Sequence, residues 1–537
     1  MHIKNSKLDI EILDTTLRDG AQGEGINFSL RDKLAVTQAL DELGVTWIEA
    51  GNPASTPKDL DFFRHASSLN LKNAKLCAFG ATRKKGVKAQ DDARLRSLLE
   101  AGTESVAVFG KSWDLHVREV ICAEPQENIA MIAETIAYLK AEGRTVLYDA
   151  EHFFDGYVAN PAYALSTVKA ALEAGADRIV LCDTNGGSFP DFVAASVAAS
   201  ARELKKTTPD IIMGIHSHND SGLAIANTIA AVQAGCAHVQ GTLVGFGERC
   251  GNTALAALIP SLELKLALRC LPEGNLGRVS EITRRVAEIA NVIISDDMPY
   301  IGAHAFSHKA GMHVDGIIKN NRSFEHIDPA AVGNERHLLM SEVGGRSAIV
   351  EQVRKFEPSV NKDHPIVASL TEKIKNMEAE GWAFEGADAS FEILIRRELG
   401  RYKPFFGIES YRVTSEHPLR EKNICSNAWV KVLVGDKHEI GAAEGVGPVS
   451  ALDGALRRAL CGFFPSLAKM RLEDYKVRVI DGKEATAAQV RVLIESTDGQ
   501  RTWNTIGVSA DIIDASRAAL VDSIEYMLLS DAERDSN

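Results

Sequence analysis

Two histidines near the middle of the chain have the spacing of metal ligands. Residues 216–220 read HSHND, which places His216 and His218 two positions apart. Side chains at i and i+2 of an extended chain point to the same side, so the two imidazoles would share one face. Such a pair is a natural half of a divalent metal site, although a histidine pair can also be purely structural.

A segment near the start of the chain could supply the other half. Residues 14–22 read DTTLRDGAQ and combine a cation, Arg18, with the carboxylate of Asp19 and the amide of Gln22. Two imidazole nitrogens and one carboxylate, with positions left for water or substrate, suit Zn, Mn, Fe or Mg. Taken alone, the segment could equally be a capped loop with a surface ion pair.

A glycine-rich stretch follows later, at residues 245–252 (GFGERCGN). Its glycines permit tight turns and could let backbone N–H groups face an anion. Asn252 could offer a further oxygen ligand to the metal.

Two more side chains have a chemical and a structural interpretation each. Glu151 could be a general base, or it could brace the surrounding fold. Thr184 could donate to a substrate carboxylate, or it could cap the next helix.

These residues need a scaffold, and the hydrophobic pattern predicts one. Short apolar, β-branched runs alternate with segments of helical spacing, and five glycines, at 44, 102, 143, 175 and 235, stand where helix C-caps belong. The predicted strands are 9–13, 46–50, 75–79, 105–109, 145–148, 178–182, 211–215 and 239–244. Eight βα units indicate a (β/α)8 TIM barrel, with an open doubly wound sheet as the alternative.

The barrel makes the chemistry converge. Active sites lie at the carboxyl ends of barrel strands, where the candidate residues stand. Strand 7 neighbours strand 8, which in a closed barrel lies beside strand 1. The histidine pair and Asp19 are therefore predicted to meet.

Composition limits the remaining possibilities. The 537 residues carry a net charge of −13, which argues against a nucleic-acid partner, since phosphate binding needs a basic face. No apolar run reaches the ~20 residues of a membrane span, and the first residues have no apolar core of a signal peptide. Eight scattered cysteines without a CxxC pair suit a reducing cytoplasm. We expect a cytoplasmic protein.

The second half predicts a different architecture. Residues 271–390 are mostly helical, and residues 391–530 contain an internal repeat of strands followed by a helix, with strands at 429–434 and 489–495. The helix N-termini at Pro448 and Ser509 could receive a ligand carboxylate. The predicted organisation is thus a catalytic barrel over 1–270, a helical linker region, and an α+β regulatory or dimerisation domain.

With these motifs in view, the chain resembles the family of alpha-isopropylmalate, homocitrate and citramalate synthases over nearly its whole length. The strongest matches are residues 14–22, 216–219 and 245–252. Residues 23–26, 109–116 and 149–156 resemble the citramalate-forming members most, whereas residues 49–55 resemble the isopropylmalate-forming members in part.

The resemblance implies a reaction and a set of roles. Acetyl-CoA would condense with pyruvate in a route to isoleucine, with isoleucine as feedback effector of the C-terminal domain and a divalent metal (Mn, Mg or Zn) as cofactor. Every candidate residue then has an implied role: metal ligands Asp19, His216, His218 and Asn252; Arg18 on the ketone or thioester enolate; Gln22, Thr184 and, less directly, Asn321 on the substrate; Glu151 with His313 in proton transfer.

His313 lies well past the barrel, in residues 305–316 (AFSHKAGMHVDG). In such synthases this segment reaches the active site of the partner subunit, so the resemblance implies a homodimer. The structural alternative is a scaffold in which His308 and His313 are ordinary surface histidines.

Three rival functions stay open at this point. An isopropylmalate or homocitrate synthase would use another 2-oxo acid. A metal-dependent 2-oxo acid lyase could use the same barrel, but it would not need the C-terminal repeat. A non-enzymatic binding module would leave the clustered polar residues without a task.

Overall fold

The computed structural model describes residues 10–66, 68–309, 311–338, 345–416, 425–480 and 488–536. Its contacts divide the chain into two compact units, Met1–Phe306 with Ile327–Arg336, and Ser307–His326 with His337–Asn537. The chain thus forms two compact units, whereas the predicted boundaries of the three regions, after residues 270 and 390, stay a prediction. Within the described ranges, no helix has the length and apolar character needed to cross a membrane.

The first unit is the predicted barrel of eight parallel strands. The strands are β1 (Glu11–Asp14), β2 (Trp47–Glu49), β3 (Lys75–Ala81), β4 (Ser105–Lys111), β5 (Thr145–Glu151), β6 (Arg178–Asp183), β7 (Ile212–Ser217) and β8 (His238–Gly241). They follow one another around a closed ring, and β1 pairs in parallel with both β2 and β8. The open doubly wound alternative is therefore wrong. The first predicted strand included Asp9, which lies outside the described residues.

Helices separate the strands and cover the outside of the barrel. They are α1 (Leu30–Leu43), α2 (Pro57–Ala66), α3 (Ala93–Glu100), α4 (Pro125–Ala141), α5 (Phe153–Ala159), α6 (Pro161–Glu173), α7 (Pro190–Leu204), α8 (Ala224–Gln233), α9 (Leu255–Leu266) and α10 (Val279–Ile289). Helix α1 shows how the sequence sets these boundaries. Ser29 and Asp32 form a capping box at its start, and Gly44 ends it at φ 93°, a conformation that favours glycine.

Two hydrophobic layers hold the barrel. The larger one lies between helices and strands and includes Val36, Leu40, Ile48 and Ile132, all fully buried. A smaller cluster of inward-facing side chains fills the barrel: Leu13, Trp47, Cys77, Ala107 and Leu147. Filling the interior leaves the carboxyl ends of the strands as the place where a cavity can open.

The second unit contains the predicted repeat. It contains two antiparallel three-stranded sheets, and each sheet is followed in the chain by a helix. The elements that precede them are β9 (Ser307–His308), α11 (Gly311–Lys319), β10 (His337–Leu338) and α12–α14 (Gly345–Arg354, Pro365–Ala379, Asp388–Glu398). The first comprises β11 (Gly407–Glu416), β12 (Cys425–Val434), β13 (Lys437–Gly445) and α15 (Pro448–Leu460). The second comprises β14 (Arg471–Val479), β15 (Val490–Thr497), β16 (Thr502–Ser509) and α16 (Ile512–Ser536).

In each half of the repeat a glycine of the third strand lies against the helix that follows. A Cβ at Gly441 of β13 would meet the carbonyl oxygen of Ala455 at 2.1 Å, and one at Gly507 of β16 would meet that of Ala515 at 2.0 Å. In both halves the third strand therefore needs glycine where the following helix crosses it.

Candidate active site

Asp19, His216 and His218 converge at the mouth of the barrel, as the strand order predicted. The Nε2 atoms of the two histidines lie 3.3 Å apart, and Asp19 Oδ2 lies 3.2 Å from Nε2 of His216 and 3.9 Å from Nε2 of His218. All three side chains are buried. The pairing of β8 with both β1 and β7 brings these distant segments together.

The donor set fits a divalent cation. Burial and the nearby His216 lower the pKa of His218 to about 3, so this ring is neutral and has a lone pair to offer. Burial alone would raise the pKa of Asp19, but the charge of Arg18 and the hydrogen bond with His216 hold it well below its usual range. Two imidazoles and an ionised carboxylate that face one another are the ligand types found in catalytic zinc, manganese and iron sites.

Gln240, fully buried in β8, orients His216. Its Nε2 donates to Asp149 Oδ1 at 2.9 Å, so its Oε1 faces His216 Nδ1 at 3.0 Å. Nδ1 then donates to Gln240, so Nε2 is the nitrogen that faces Asp19 and His218. Against the effect of burial, the carboxylate of Asp19 raises the pKa of His216, and a cation bound at Nε2 would take the place of the proton that Nε2 shares with Asp19. Burial and the neighbouring Glu49 raise the pKa of Asp149 to about 7.

Asn252 adjoins the cluster. Its Nδ2 lies 3.1 Å from Asp19 Oδ2 and 3.4 Å from His216 Nε2, while its buried Oδ1 has no hydrogen-bond partner within the described structure. The glycine-rich loop has a steric reason: a Cβ at Gly247 would lie 2.0 Å from Oδ1 of Asn252. Buried oxygens normally have a hydrogen-bond partner, so this one is available to bind a metal ion or a substrate beside Asp19 and His216.

Arg18 lies beside the cluster and is held on several sides. Its Nε donates to Glu49, its Nη1 lies 3.3 Å from Asp19 Oδ2, and its guanidinium carbon lies 3.9 Å from the centre of the Phe79 ring. These contacts fix the guanidinium in place and keep its pKa above the usual value. A fixed cation of this kind can stabilise an oxyanion without reorganising.

One cavity of about 290 Å³ unites most of the predicted residues. Its lining includes Arg18, Asp19, Gln22, Glu151, Thr184, His216 and His218. Glu151 forms an ion pair with Lys111 at the end of the neighbouring strand. Acidic, amide and hydroxyl groups thus face the same space as the candidate metal ligands.

Thr184 lines the cavity and accepts a hydrogen bond from the neighbouring strand end. His152 adopts φ 56°, and its N–H donates to Thr184 Oγ1 at 2.9 Å. The hydroxyl therefore accepts from the backbone and can donate its own proton to a ligand. The helix that follows, α7, begins only at Pro190, so the interpretation of Thr184 as its cap is wrong.

His313 and Asn321 belong to the second unit. His313 lies on α11 and its ring stacks on Phe324, with centroids 4.2 Å apart. Asn321 begins the short 3-10 turn that follows. Their roles at the active site, including the one implied for a partner subunit, stay predictions.

The sequence did not single out several residues of the site: Glu49, Asn52, Phe79, Phe109, Asp149, Glu248 and Gln240. Except for Gln240 and Glu49, they line the cavity. A signal was available for Glu49, which is the one polar residue in the strand Trp47–Glu49, and for Asp149 and Gln240, which are polar residues inside buried strands. Such residues in barrel strands face either a partner or a site.

Family models match nearly the whole chain. The model described as HMGL-like matches residues 9–286, the one described as homocitrate synthase post-HMGL domain-like matches residues 300–381, and the LeuA allosteric (dimerisation) domain matches residues 385–528.

Curated relatives match over similar lengths. The chain is 46% identical to the (R)-citramalate synthase of Aquifex aeolicus (strain VF5), over 98% of each chain. It is 44% identical to the (R)-citramalate synthase of Synechocystis sp. (strain ATCC 27184 / PCC 6803 / Kazusa), over 97% of this chain and 96% of the relative. A probable 2-isopropylmalate synthase of Methanopyrus kandleri is more distant, at 29% identity over 96% of this chain and 98% of its own length.

Proposed function

This chain belongs to the (R)-citramalate synthase family, and on that premise we propose that it condenses acetyl-CoA with pyruvate to give (R)-citramalate and CoA. It is a transferase of the acetyl-CoA-condensing type. The observation that carries the proposal is the buried cluster of Asp19, His216 and His218 beside the fixed guanidinium of Arg18, in one barrel cavity.

The cluster would hold a divalent ion (Mn, Mg or Zn), with Asn252 at or near it. Such an ion, when bound, supplies a Lewis acid that makes the carbonyl carbon of a chelated 2-oxo acid electrophilic. All other parts of the reaction fall to side chains of this chain.

Condensation requires the acetyl methyl to lose a proton and its carbon to bond to the ketone carbon of pyruvate, whose oxygen then takes up a proton. Arg18 is placed to stabilise the thioester enolate as the methyl proton leaves. Glu151 lines the same cavity and is a candidate base, together with His313. Water then cleaves the thioester, which releases CoA and makes the condensation effectively irreversible.

The acceptor would be fixed through its carboxylate. The hydroxyl of Thr184 and the amide of Gln22 both face the cavity. The Thr184 oxygen accepts from the backbone N–H of His152, so its own proton can be donated to the acceptor carboxylate. Phe79 and Phe109 stack with centroids 5.2 Å apart and form an apolar wall. This wall favours a small acceptor such as pyruvate, because each additional methylene group of a larger 2-oxo acid would need space that the two rings occupy.

Regulation and assembly are proposed for the C-terminal repeat. We infer that it binds isoleucine as a feedback effector and joins two copies into a homodimer in a cytoplasmic route to isoleucine. The match to a domain described as LeuA allosteric (dimerisation) supports both parts.

The test is a measurement of CoA release with a thiol reagent, using full-length protein, Mn²⁺ or Mg²⁺, acetyl-CoA and one 2-oxo acid at a time. A strong preference for pyruvate over 2-oxoisovalerate and 2-oxoglutarate, with citramalate identified by mass spectrometry, is expected. A preference for 2-oxoisovalerate would make the chain a 2-isopropylmalate synthase. Inhibition is then measured with isoleucine and, as the matched control, leucine.

A further inference from the structure

A second cavity in the first unit, of about 220 Å³, has an unusual charge. It lies between the segments that follow β3 and β4, at the carboxyl end of the barrel. Its polar lining includes five cationic side chains and no carboxylate: Arg83, Lys84, Lys85, Arg94 and Lys111. In a chain of net charge −13 such a concentration of positive charge indicates an anionic ligand.

Carboxylates outside the cavity hold the two arginines in place. Arg83 is paired with Glu127 at 2.9 Å and Glu134 at 2.7 Å, and Arg94 is paired with Asp92 at 2.9 Å. These pairs neutralise most of the arginine charge, so the arginines mainly fix the walls.

Lys84 and Lys85 are different. Both are exposed, and neither forms an ion pair with a carboxylate in the part of the chain that the structure describes. The loop that carries them is nevertheless ordered, because the backbone N–H of Lys84 donates to Asp92 Oδ2 at 2.7 Å and the N–H of Gly86 donates to Glu127 Oε1 at 3.4 Å. The ammonium of Lys85 donates to the carbonyl of Cys122 and feels the charge of Glu127 without forming an ion pair with it. The loop thus presents two exposed ammonium groups, of which that of Lys84 is the less compensated.

The basic cavity adjoins the catalytic one. Phe109 contributes to the lining of both. Lys111 lines the basic cavity and pairs with Glu151, which lines the catalytic cavity. A ligand with an anionic end in one cavity could therefore place its other end in the neighbouring one.

We propose that this basic cavity binds the phosphate groups of the CoA moiety of acetyl-CoA, with Lys84 and Lys85 as the principal contacts. The inference rests on the proposed function, which supplies acetyl-CoA as the substrate. Lysine ammonium groups bind phosphate oxygens as point charges. The cavity thus anchors the nucleotide end while the thioester reaches Arg18.

The test is a charge-reversal double variant, K84E/K85E, of the full-length protein. The matched control is K205E/K206E, which makes the same charge change on two exposed neighbouring lysines at the opposite end of the barrel, after α7. We expect K84E/K85E to raise KM for acetyl-CoA roughly tenfold or more, and to leave the KM values for pyruvate and for S-acetylpantetheine, which lacks the phosphates, unchanged. The control should change none of them.

Two kinetic results would overturn the proposal: an unchanged KM for acetyl-CoA in K84E/K85E, or an equal rise with both thioesters. Calorimetric binding of adenosine 3′,5′-bisphosphate tests the cavity independently of turnover. Weaker binding to K84E/K85E than to K205E/K206E supports the proposal even if pyruvate proves not to be the acceptor. Equal binding to both variants contradicts it even if citramalate is formed.

Discussion

The two ends of the barrel each contain an arginine, a carboxylate and histidine, yet they differ in how these groups are paired. At the amino ends of the strands, Arg178 donates to both oxygens of Glu11, at 2.8 and 2.7 Å, and lies 5.3 Å from the Trp47 ring, with His238 3.5 Å from Glu11. The charged groups of this cluster are thus paired with one another.

At the carboxyl ends, the equivalent groups are directed at a cavity. Asp19 is shared among Arg18 and two histidines, and Asn252 Oδ1 and His218 Nδ1 are buried without a hydrogen-bond partner within the described structure. Buried polar atoms without a hydrogen-bond partner within the described structure occur at the amino end as well, at Trp47 Nε1 and at both ring nitrogens of His238. The difference between the two ends is therefore the cavity, which Arg18, Asp19, His216 and His218 line at the carboxyl end.

Removing the shared carboxylate should give the largest effect on activity and almost none on folding. Asp19→Ala is expected to abolish Mn²⁺ binding and to lower CoA release by roughly a thousandfold or more, since a ligand of a catalytic metal is lost. Calorimetry with Mn²⁺ and thermal unfolding of the metal-free protein are the measurements. Full activity in this variant would refute the metal assignment.

The next prediction concerns the geometry of the cation. Arg18→Lys keeps the charge but loses the planar fork that contacts Glu49 and Asp19. We expect kcat to fall about a hundredfold while the affinity for Mn²⁺ stays within a few-fold of the wild type. A variant with normal kcat would show that charge alone suffices at this position.

A third variant tests the support of the metal site. Gln240→Leu removes the group that fixes the proton on His216 and should weaken Mn²⁺ binding about 10- to 100-fold. Asn334→Leu is the matched control: it removes another buried amide of the same unit, one that donates to carbonyls of Tyr300 and Gly302. Equal metal affinity of the two variants would contradict the role of Gln240.

The other end of the barrel should show the reverse pattern. Glu11→Gln breaks the paired interaction with Arg178 and is expected to lower the free energy of unfolding by about 1–3 kcal/mol. kcat and metal affinity should stay unchanged. Denaturant unfolding measures the stability, and CoA release measures the activity. A loss of activity at unchanged stability would contradict the structural role of the amino-end cluster.

The smallest predicted effect is the pH dependence of the difference in unfolding free energy between the wild type and Glu11→Gln. Burial by itself would raise the pKa of Glu11, but the two hydrogen bonds and the charge of Arg178, with His238 3.5 Å away, lower it from 4.5 to about 2 in the folded protein. A depressed carboxylate pKa contributes stability above the unfolded value and loses it as pH falls toward the folded one. The stability gap between wild type and Glu11→Gln should therefore be constant near pH 7 and narrow below about pH 4.5. A gap that widens in acid would contradict this assignment.

Local sequence patterns were sufficient to predict the secondary-structure elements and the residue types of the site. Alternating strand and helix patterns predicted the barrel, and the i, i+2 spacing placed His216 and His218 on one face, because both depend only on the periodicity of a strand or helix. The repeat in the C-terminal region was also readable, since its two halves have like patterns.

The order of the strands in a closed barrel also predicted that Asp19 would meet the two histidines. The contacts of Gln240 could not be predicted in this way, because the register between the strands places it between His216 and Asp149. Such contacts depend on distances across the barrel that no local pattern encodes. The same reason explains why the need for glycine at 247, and the different pairing of similar residue types at the two ends of the barrel, emerged only from the fold.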